Sequence, residues 1–128
     1  MEEKKIDFTI DLKYFKMEEF NQKGLPESWR KMDINLLMIL DKMRHRAGIP
    51  FKITSAYRSP EYNKTLKNAS PNSAHLLGKA VDIAVKDSKS RYLILEAAIH
   101  FGIQRIGIGD NFIHIDIKEN PAEVAWIY

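Results

Sequence analysis

An α+β fold, with an antiparallel-rich sheet carrying helices on one face, is what the sequence predicts, and three observations predict it. Apolar residues recur with a helical period between Pro26 and Ala47. Two segments, Ala80–Val85 and Phe112–Ile117, alternate apolar residues with others as strands do. Between the second of these and the strand-like run Gln104–Gly109 stands Asp110-Asn111, a pair of the type that closes two-residue hairpins.

Residues 6–23 mix aromatics with charges (Phe8, Tyr14, Phe15, Phe20) and read as an extended arm or short strand, followed by a helical turn at Met17–Phe20. From Pro26 to Ala47 the apolar positions Trp29, Met32, Leu36, Leu37, Leu40, Met43 and Ala47 predict one amphipathic helix, stopped by Gly48 with Pro50 just beyond. So much apolar surface on one helix requires a sheet to lie on. Phe51–Ser55 reads as a strand. Arg58–Pro71, with Ser59-Pro60-Glu61-Tyr62-Asn63 and later Asn68-Ala69-Ser70-Pro71, reads as a short helix leading into a loop. In Ala80–Val85 the residues Val81, Ile83 and Val85 share one face, leaving Ala80, Asp82 and Ala84 on the other. A further helix runs to His100, capped by Ser88 or Ser90, with Leu93, Ala97 and Phe101 on one side and Gly102 as its stop. The hairpin follows; on its second strand Ile113, Ile115 and Ile117 oppose Phe112, His114 and Asp116.

A chain of 128 residues that is 45% hydrophobic is long enough for one core, so residues 1–128 are expected to form a single domain and a monomer. The net charge of +3 favours anionic partners, but its lysines and arginines form no stripe, which argues against nucleic acid. No apolar run is long enough for a membrane span, and none of signal-peptide length follows Met1–Ile6. Synthesis in the cytoplasm, with any export by another route, is the expectation. There are no cysteines, so a metal would need His, Asp or Glu.

Asp82 and His114 each stand on the non-core face of a strand, and His75 precedes Asp82 by seven residues with Gly78 between them to turn the chain. Singly, each is a weak signal, since a lone His on a strand is more often a hydrogen-bonded residue than a ligand. Together, two imidazoles and a carboxylate form a ligand set of catalytic zinc that leaves a fourth position open to water. Water held there loses a proton near pH 7, which makes hydrolysis the natural reaction. The metal site is then expected on the sheet face opposite the helices.

The segment Ser73-Ala74-His75-Leu76-Leu77-Gly78-Lys79-Ala80-Val81-Asp82 resembles the S-x-H-x-x-G-x-A-x-D signature of the zinc D-alanyl-D-alanine carboxypeptidase and dipeptidase family, whose fold is shared with the Hedgehog signalling domain. Ser55-Ala56-Tyr57-Arg58-Ser59-Pro60 is similar to that family's S-x-Y-R-S block, and Phe112-Ile113-His114-Ile115-Asp116 to its terminal H-x-D strand. Tyr14-Phe15 and Glu18-Glu19-Phe20 look like the arm that opens many small members. The resemblance implies one zinc ion held by His75, Asp82 and His114, with Arg58 facing the substrate as an oxyanion or carboxylate partner. Ser73 either hydrogen-bonds substrate or stabilises the turn before His75, and Tyr57 either lines the pocket or packs.

Many members carry an acidic residue three positions before the last His as general base; here that position is Asn111, whose amide cannot take a proton. Asp110 is the alternative base, and Asp116 is either a base or a partner that orients an imidazole or Arg58. The implied activity is cleavage of peptide bonds in bacterial peptidoglycan stem peptides, first as a D-alanyl-D-alanine carboxypeptidase. The alternatives are an endopeptidase, including one cutting L-alanyl-D-glutamate, and a zinc-containing wall-binding module without turnover. Small relatives lacking a signal peptide are often phage lysis or tail enzymes, an analogy that reconciles a cytoplasmic product with a wall substrate.

Overall fold

The computed structural model describes residues 11–67, 69–119 and 123–128; Met1–Ile6, Phe8 and Asn68 lie outside the described residues. The strands are β1 (Ile53–Ser55), β2 (Ala80–Ala84), β3 (Arg105–Ile108), β4 (Phe112–Asp116) and β5 (Val124–Ile127), in the spatial order β1-β2-β4-β3-β5. β1/β2, β2/β4 and β3/β4 are antiparallel. The β3–β4 hairpin closes over Asp110-Asn111, with the Gly109 N–H donating to the Phe112 carbonyl at 2.9 Å. The expected alternation holds: Val81, Ile83, Ile113 and Ile115 are fully buried and belong to one core cluster. That cluster is completed by α1 (Ile34–Ala47), through Leu36, Leu37, Leu40 and Met43, and by α3 (Ser88–His100), through Ile94, Ala97 and Ala98.

Three elements differ from expectation. The helix predicted over Pro26–Ala47 is interrupted: Ser28–Lys31 forms a 3-10 turn, Met32 is extended, and α1 begins at Ile34. The cause is Asp33, whose carboxylate accepts from the N–H groups of Asn35 (2.8 Å) and Leu36 (3.3 Å) and so starts a new helix. Met32 and Trp29 keep their core contacts, which is why the apolar period runs through the break. The α3 cap is Asp87 rather than Ser88 or Ser90; its carboxylate accepts from the Ser90 N–H at 2.7 Å while Ser90 Oγ accepts from the Asp87 N–H at 3.2 Å. Finally, β5 pairs with β3 in parallel, so the sheet is mixed. No period in the sequence marks β5, because a half-paired edge strand buries neither face consistently.

The turn at Met17–Phe20 forms as expected; of the predicted arm, residues 6–10 lie outside the described residues. The Asp41 carboxylate on α1 takes the N–H groups of Lys13 (3.0 Å) and Tyr14 (2.9 Å), and Phe15 and Phe20 enter the core. The short helix α2 (Pro60–Thr65) is capped by Ser59 Oγ, which accepts from the Tyr62 N–H.

Gly78 joins the two halves of the structure. It ends the 3-10 turn Ala74–Leu77 in the left-handed region (φ 67°), and its carbonyl accepts from the Asp33 N–H at 2.8 Å. A Cβ there would lie 1.9 Å from the Lys31 carbonyl oxygen. Strain and collision act together in Gly78→Ala, so unfolding in urea should show a loss of about 2 kcal/mol or more. An unchanged midpoint would show that the chain relaxes freely at this contact.

Candidate metal centre

Pairing across the sheet fixes most of the site. Ser55 is opposite Asp82, Asp82 opposite His114, His114 opposite Gly107, and Gly107 opposite Trp126. One row thus crosses all five strands on the face away from the core. His75 arrives from outside the sheet. Ser73 Oγ accepts from the His75 N–H at 3.2 Å and starts the turn, and the His75 carbonyl accepts from the Arg58 N–H at 3.0 Å. The chain leaving β1 is thereby stitched to the turn that carries the first imidazole.

Both imidazoles are almost fully buried, and each has one nitrogen occupied by the protein. His75 Nδ1 donates to the Ala56 carbonyl at 2.7 Å, an oxygen that can only accept, so Nε2 carries the lone pair. That nitrogen faces Asp82 Oδ1 at 3.3 Å. His114 Nε2 donates to Asp116 Oδ2 at 2.7 Å, which turns Nδ1 toward Asp82 Oδ1 at 2.8 Å. Nε2 of one ring, Nδ1 of the other and one carboxylate oxygen therefore converge, with ligand atoms of all three residues within 4.8 Å of one another. Donors at about 2.0–2.2 Å from a shared tetrahedral centre lie roughly 3.4 Å apart, which a small adjustment of these side chains would supply. Two backed imidazoles and a carboxylate fit one zinc ion.

The charges are tightly coupled. Burial raises the Asp82 carboxyl, but the His114 and His75 rings against it outweigh that and hold the group well below the usual carboxylate range. Burial lowers His114, yet Asp116 and Asp82 on either side raise it above the ordinary histidine value of 6.5. Asp116 is likewise raised by burial and lowered, in net, by His114, the Lys118 N–H and Arg105. Arg58 stands behind Asp82, its Nη2 at 3.5 Å from Oδ2 and its Nε donating to Ser55 Oγ at 3.1 Å.

His75, Asp82, His114, Arg58 and Ser73 all line one cavity of about 500 Å³, together with Lys67 and Tyr128. A second lobe of about 370 Å³ adjoins it through Arg58, Leu66, Asp82 and Phe112, and reaches Thr54, Tyr62 and Asn111. The other residues singled out in the sequence lie elsewhere. Asp110 is exposed on the hairpin turn, where its backbone carbonyl accepts from Arg91 Nη2 at 2.7 Å, and it lines neither lobe. Asp116 is 2% exposed, its Oδ1 taken by Arg105 Nε (2.7 Å) and the Lys118 N–H (3.1 Å), its Oδ2 by His114. Tyr57 packs against the core and does not line the cavity.

Sequence reasoning missed Trp126 and Tyr128. The Trp126 ring centre lies 5.4 Å from that of His114, and Tyr128 lies 6.4 Å from His114 and 5.0 Å from Phe112. The available signal was Gly107-Ile108-Gly109. A Cβ at Gly107 would meet Tyr128 at 2.5 Å and Trp126 at 2.7 Å, so a bare strand leaves room for rings.

Among curated proteins none matches the chain significantly. Among protein families, peptidase M15 matches residues 13–116, a span holding His75, Asp82, His114, Arg58 and Asp116 and stopping short of β5. Because that match covers most of the chain and encloses the whole converging donor set, the chain belongs to the peptidase M15 family of zinc-dependent peptidases.

Proposed function

We propose that the protein hydrolyses peptide bonds next to D-amino acids in peptidoglycan stem peptides, with His75, Asp82 and His114 as the zinc ligands. The observation that carries this reading is the convergence of two imidazole lone pairs and Asp82 at the wall of a cavity that also presents Arg58 and Lys67. A zinc ion on three protein ligands keeps a fourth position open, lowers the pKa of water there and polarises a carbonyl. Arg58, already positioned by Ser55 and Asp82, turns its remaining donors to the cavity and stabilises the oxyanion that develops on the scissile carbonyl. Asp116 holds the His114 ring so that Nδ1 faces Asp82.

D-Alanyl-D-alanine carboxypeptidase action is the first form of this activity, because two cations, Arg58 and Lys67, line the lobe in which a terminal carboxylate would lie. Endopeptidase action is favoured by a different observation: the second lobe continues past Arg58, giving room for peptide on both sides. Mass spectrometry of a stem pentapeptide and of whole peptidoglycan after incubation with the zinc-loaded protein separates them. Free D-alanine reports a carboxypeptidase, and internal fragments an endopeptidase. Stoichiometric zinc and bound peptide with neither product would reduce the protein to a wall-binding module.

Arg58→Lys keeps a cation beside Asp82 and loses the planar fork. It should retain zinc while turnover falls by about 10²–10³, the range for loss of an oxyanion donor. Wild-type kcat in this variant would remove Arg58 from the chemistry.

Neither acid first considered as a base reaches the cavity, so their substitutions should part company. Asp116→Asn should weaken zinc binding by about 10–100-fold, as loss of a partner behind a ligating His does. Asp110→Asn should leave zinc affinity and turnover unchanged. A large fall in turnover for Asp110→Asn at full zinc occupancy would return the base role to the hairpin turn.

Zinc must displace the proton from His114 Nδ1, which bonds Asp82, while Asp116 on Nε2 also favours the charged ring. Zinc affinity, measured by chelator competition between pH 5 and 9, should therefore fall as pH drops through a value above 6.5. The metal-free protein behaves oppositely. A histidine whose pKa is raised on folding contributes stability that is fully present below 6.5 and is lost as pH rises through its folded value. Metal affinity that broke at or below 6.5 would contradict the pairing of His114.

A further inference from the structure

β5 lies beyond the residues matched by the family, yet it enters the site. Its register with β3 places Trp126 opposite Gly107, and Val124, Trp126 and Tyr128 alternate onto the face that carries His114. Gly107 and Gly109 leave that face bare. A Cβ at Gly109 would strike the Phe112 ring at 2.1 Å, as one at Gly107 would strike Tyr128 and Trp126. Three rings occupy the space: Phe112 lies 5.0 Å from Tyr128, and Tyr128 6.2 Å from Trp126. Trp126 is held from below, since the Arg105 guanidinium sits 5.3 Å from its ring and bonds Asp116. The wall is thus built on the same residues that orient the metal ligand.

Of this wall, Phe112 and Tyr128 line the cavity with His75, Asp82 and His114, and of these two rings only Tyr128 carries a hydroxyl. Its ring packs beside that of Trp126, 6.2 Å centre to centre, and its phenol hydroxyl can donate as well as accept a hydrogen bond. At 63% exposed, the group is open to a ligand. We propose that Tyr128 is a substrate-binding residue whose hydroxyl donates a hydrogen bond to a backbone carbonyl or carboxylate oxygen of the stem peptide. This rests on the proposed peptidase reading and adds a side of the site that neither the sequence motifs nor the family match contains.

The test uses zinc-loaded wild type, Tyr128→Phe, Tyr128→Ala and the distant control Tyr92→Ala. Binding is measured by calorimetry with a D-alanyl-D-alanine pentapeptide analogue whose terminal amide is reduced, and turnover with the parent peptide. Tyr128→Phe should keep stoichiometric zinc and kcat while raising both Kd and KM by about three- to tenfold, the yield of one net hydrogen bond. Tyr128→Ala should add about a further tenfold by removing the ring, and Tyr92→Ala should match wild type. Unchanged Kd and KM in Tyr128→Phe would overturn the proposal while the peptidase reading stood. A fall in kcat at constant KM would also overturn it, since the hydroxyl would then act on the reacting atoms. Wild type that neither binds nor cuts these peptides would overturn the proposal together with the function it rests on.

Discussion

Asp82 and His114 face each other across β2 and β4, and nearly everything at the site follows from that register. Side chains alternate across a strand, so a slip of one residue would turn both groups toward α1 and α3 and bring isoleucines to the cavity. What prevents the slip is the opposite face. Val81, Ile83, Ile113 and Ile115 are completely buried against the helices, and exposing them would cost roughly 1.5–3 kcal/mol each. The hydrophobic core thereby sets the position of Asp82 and His114, which take no part in it. His75 needs separate fixing, and receives it from the Arg58 N–H on its carbonyl, Ala56 on its ring and Gly78 wedged against Lys31.

The same division explains what was legible in the sequence. Period-two alternation disclosed β2 and β4 with the correct faces, because each strand gives its branched aliphatic residues to the helix side and keeps other residues for the opposite side. The hairpin pair, the Gly48 stop and the turn at Met17–Phe20 were legible from local chemistry alone. Asp33 was not, since an aspartate inside an apolar period reads as a solvent-facing helix residue until its carboxylate is seen to accept from Asn35 and Leu36. β5 left no trace because its order comes from β3, which is a tertiary cause. With β5 went Trp126 and Tyr128, whose approach depends on a side chain that Gly107 does not have.

The cluster of His75, Asp82 and His114 was legible for a further reason: the motif residues around it serve the geometry, and each has a visible task. Ser73 starts the turn, Gly78 ends it in a conformation that other residues resist, and Ala80 is fully buried where β2 begins. Ser55 and Arg58 support Asp82 from the neighbouring strand. The acids behaved differently. Asp110 and Asp116 could be ranked only by asking where their oxygens go, and the oxygens of Asp116 are all taken inside the protein.

Those hydrogen bonds describe a line of alternating charge, Arg58–Asp82–His114–Asp116–Arg105, in which each carboxylate has a cation behind it and the imidazole stands between them. With His114 neutral, the two arginines balance the two aspartates. Protonated on both nitrogens, His114 donates to Asp82 through Nδ1 and to Asp116 through Nε2, which leaves neither buried anion without a partner, the condition under which buried charge is tolerated. A proton and a metal ion would compete for the same lone pair on Nδ1, and Asp82 and Asp116 both favour the proton.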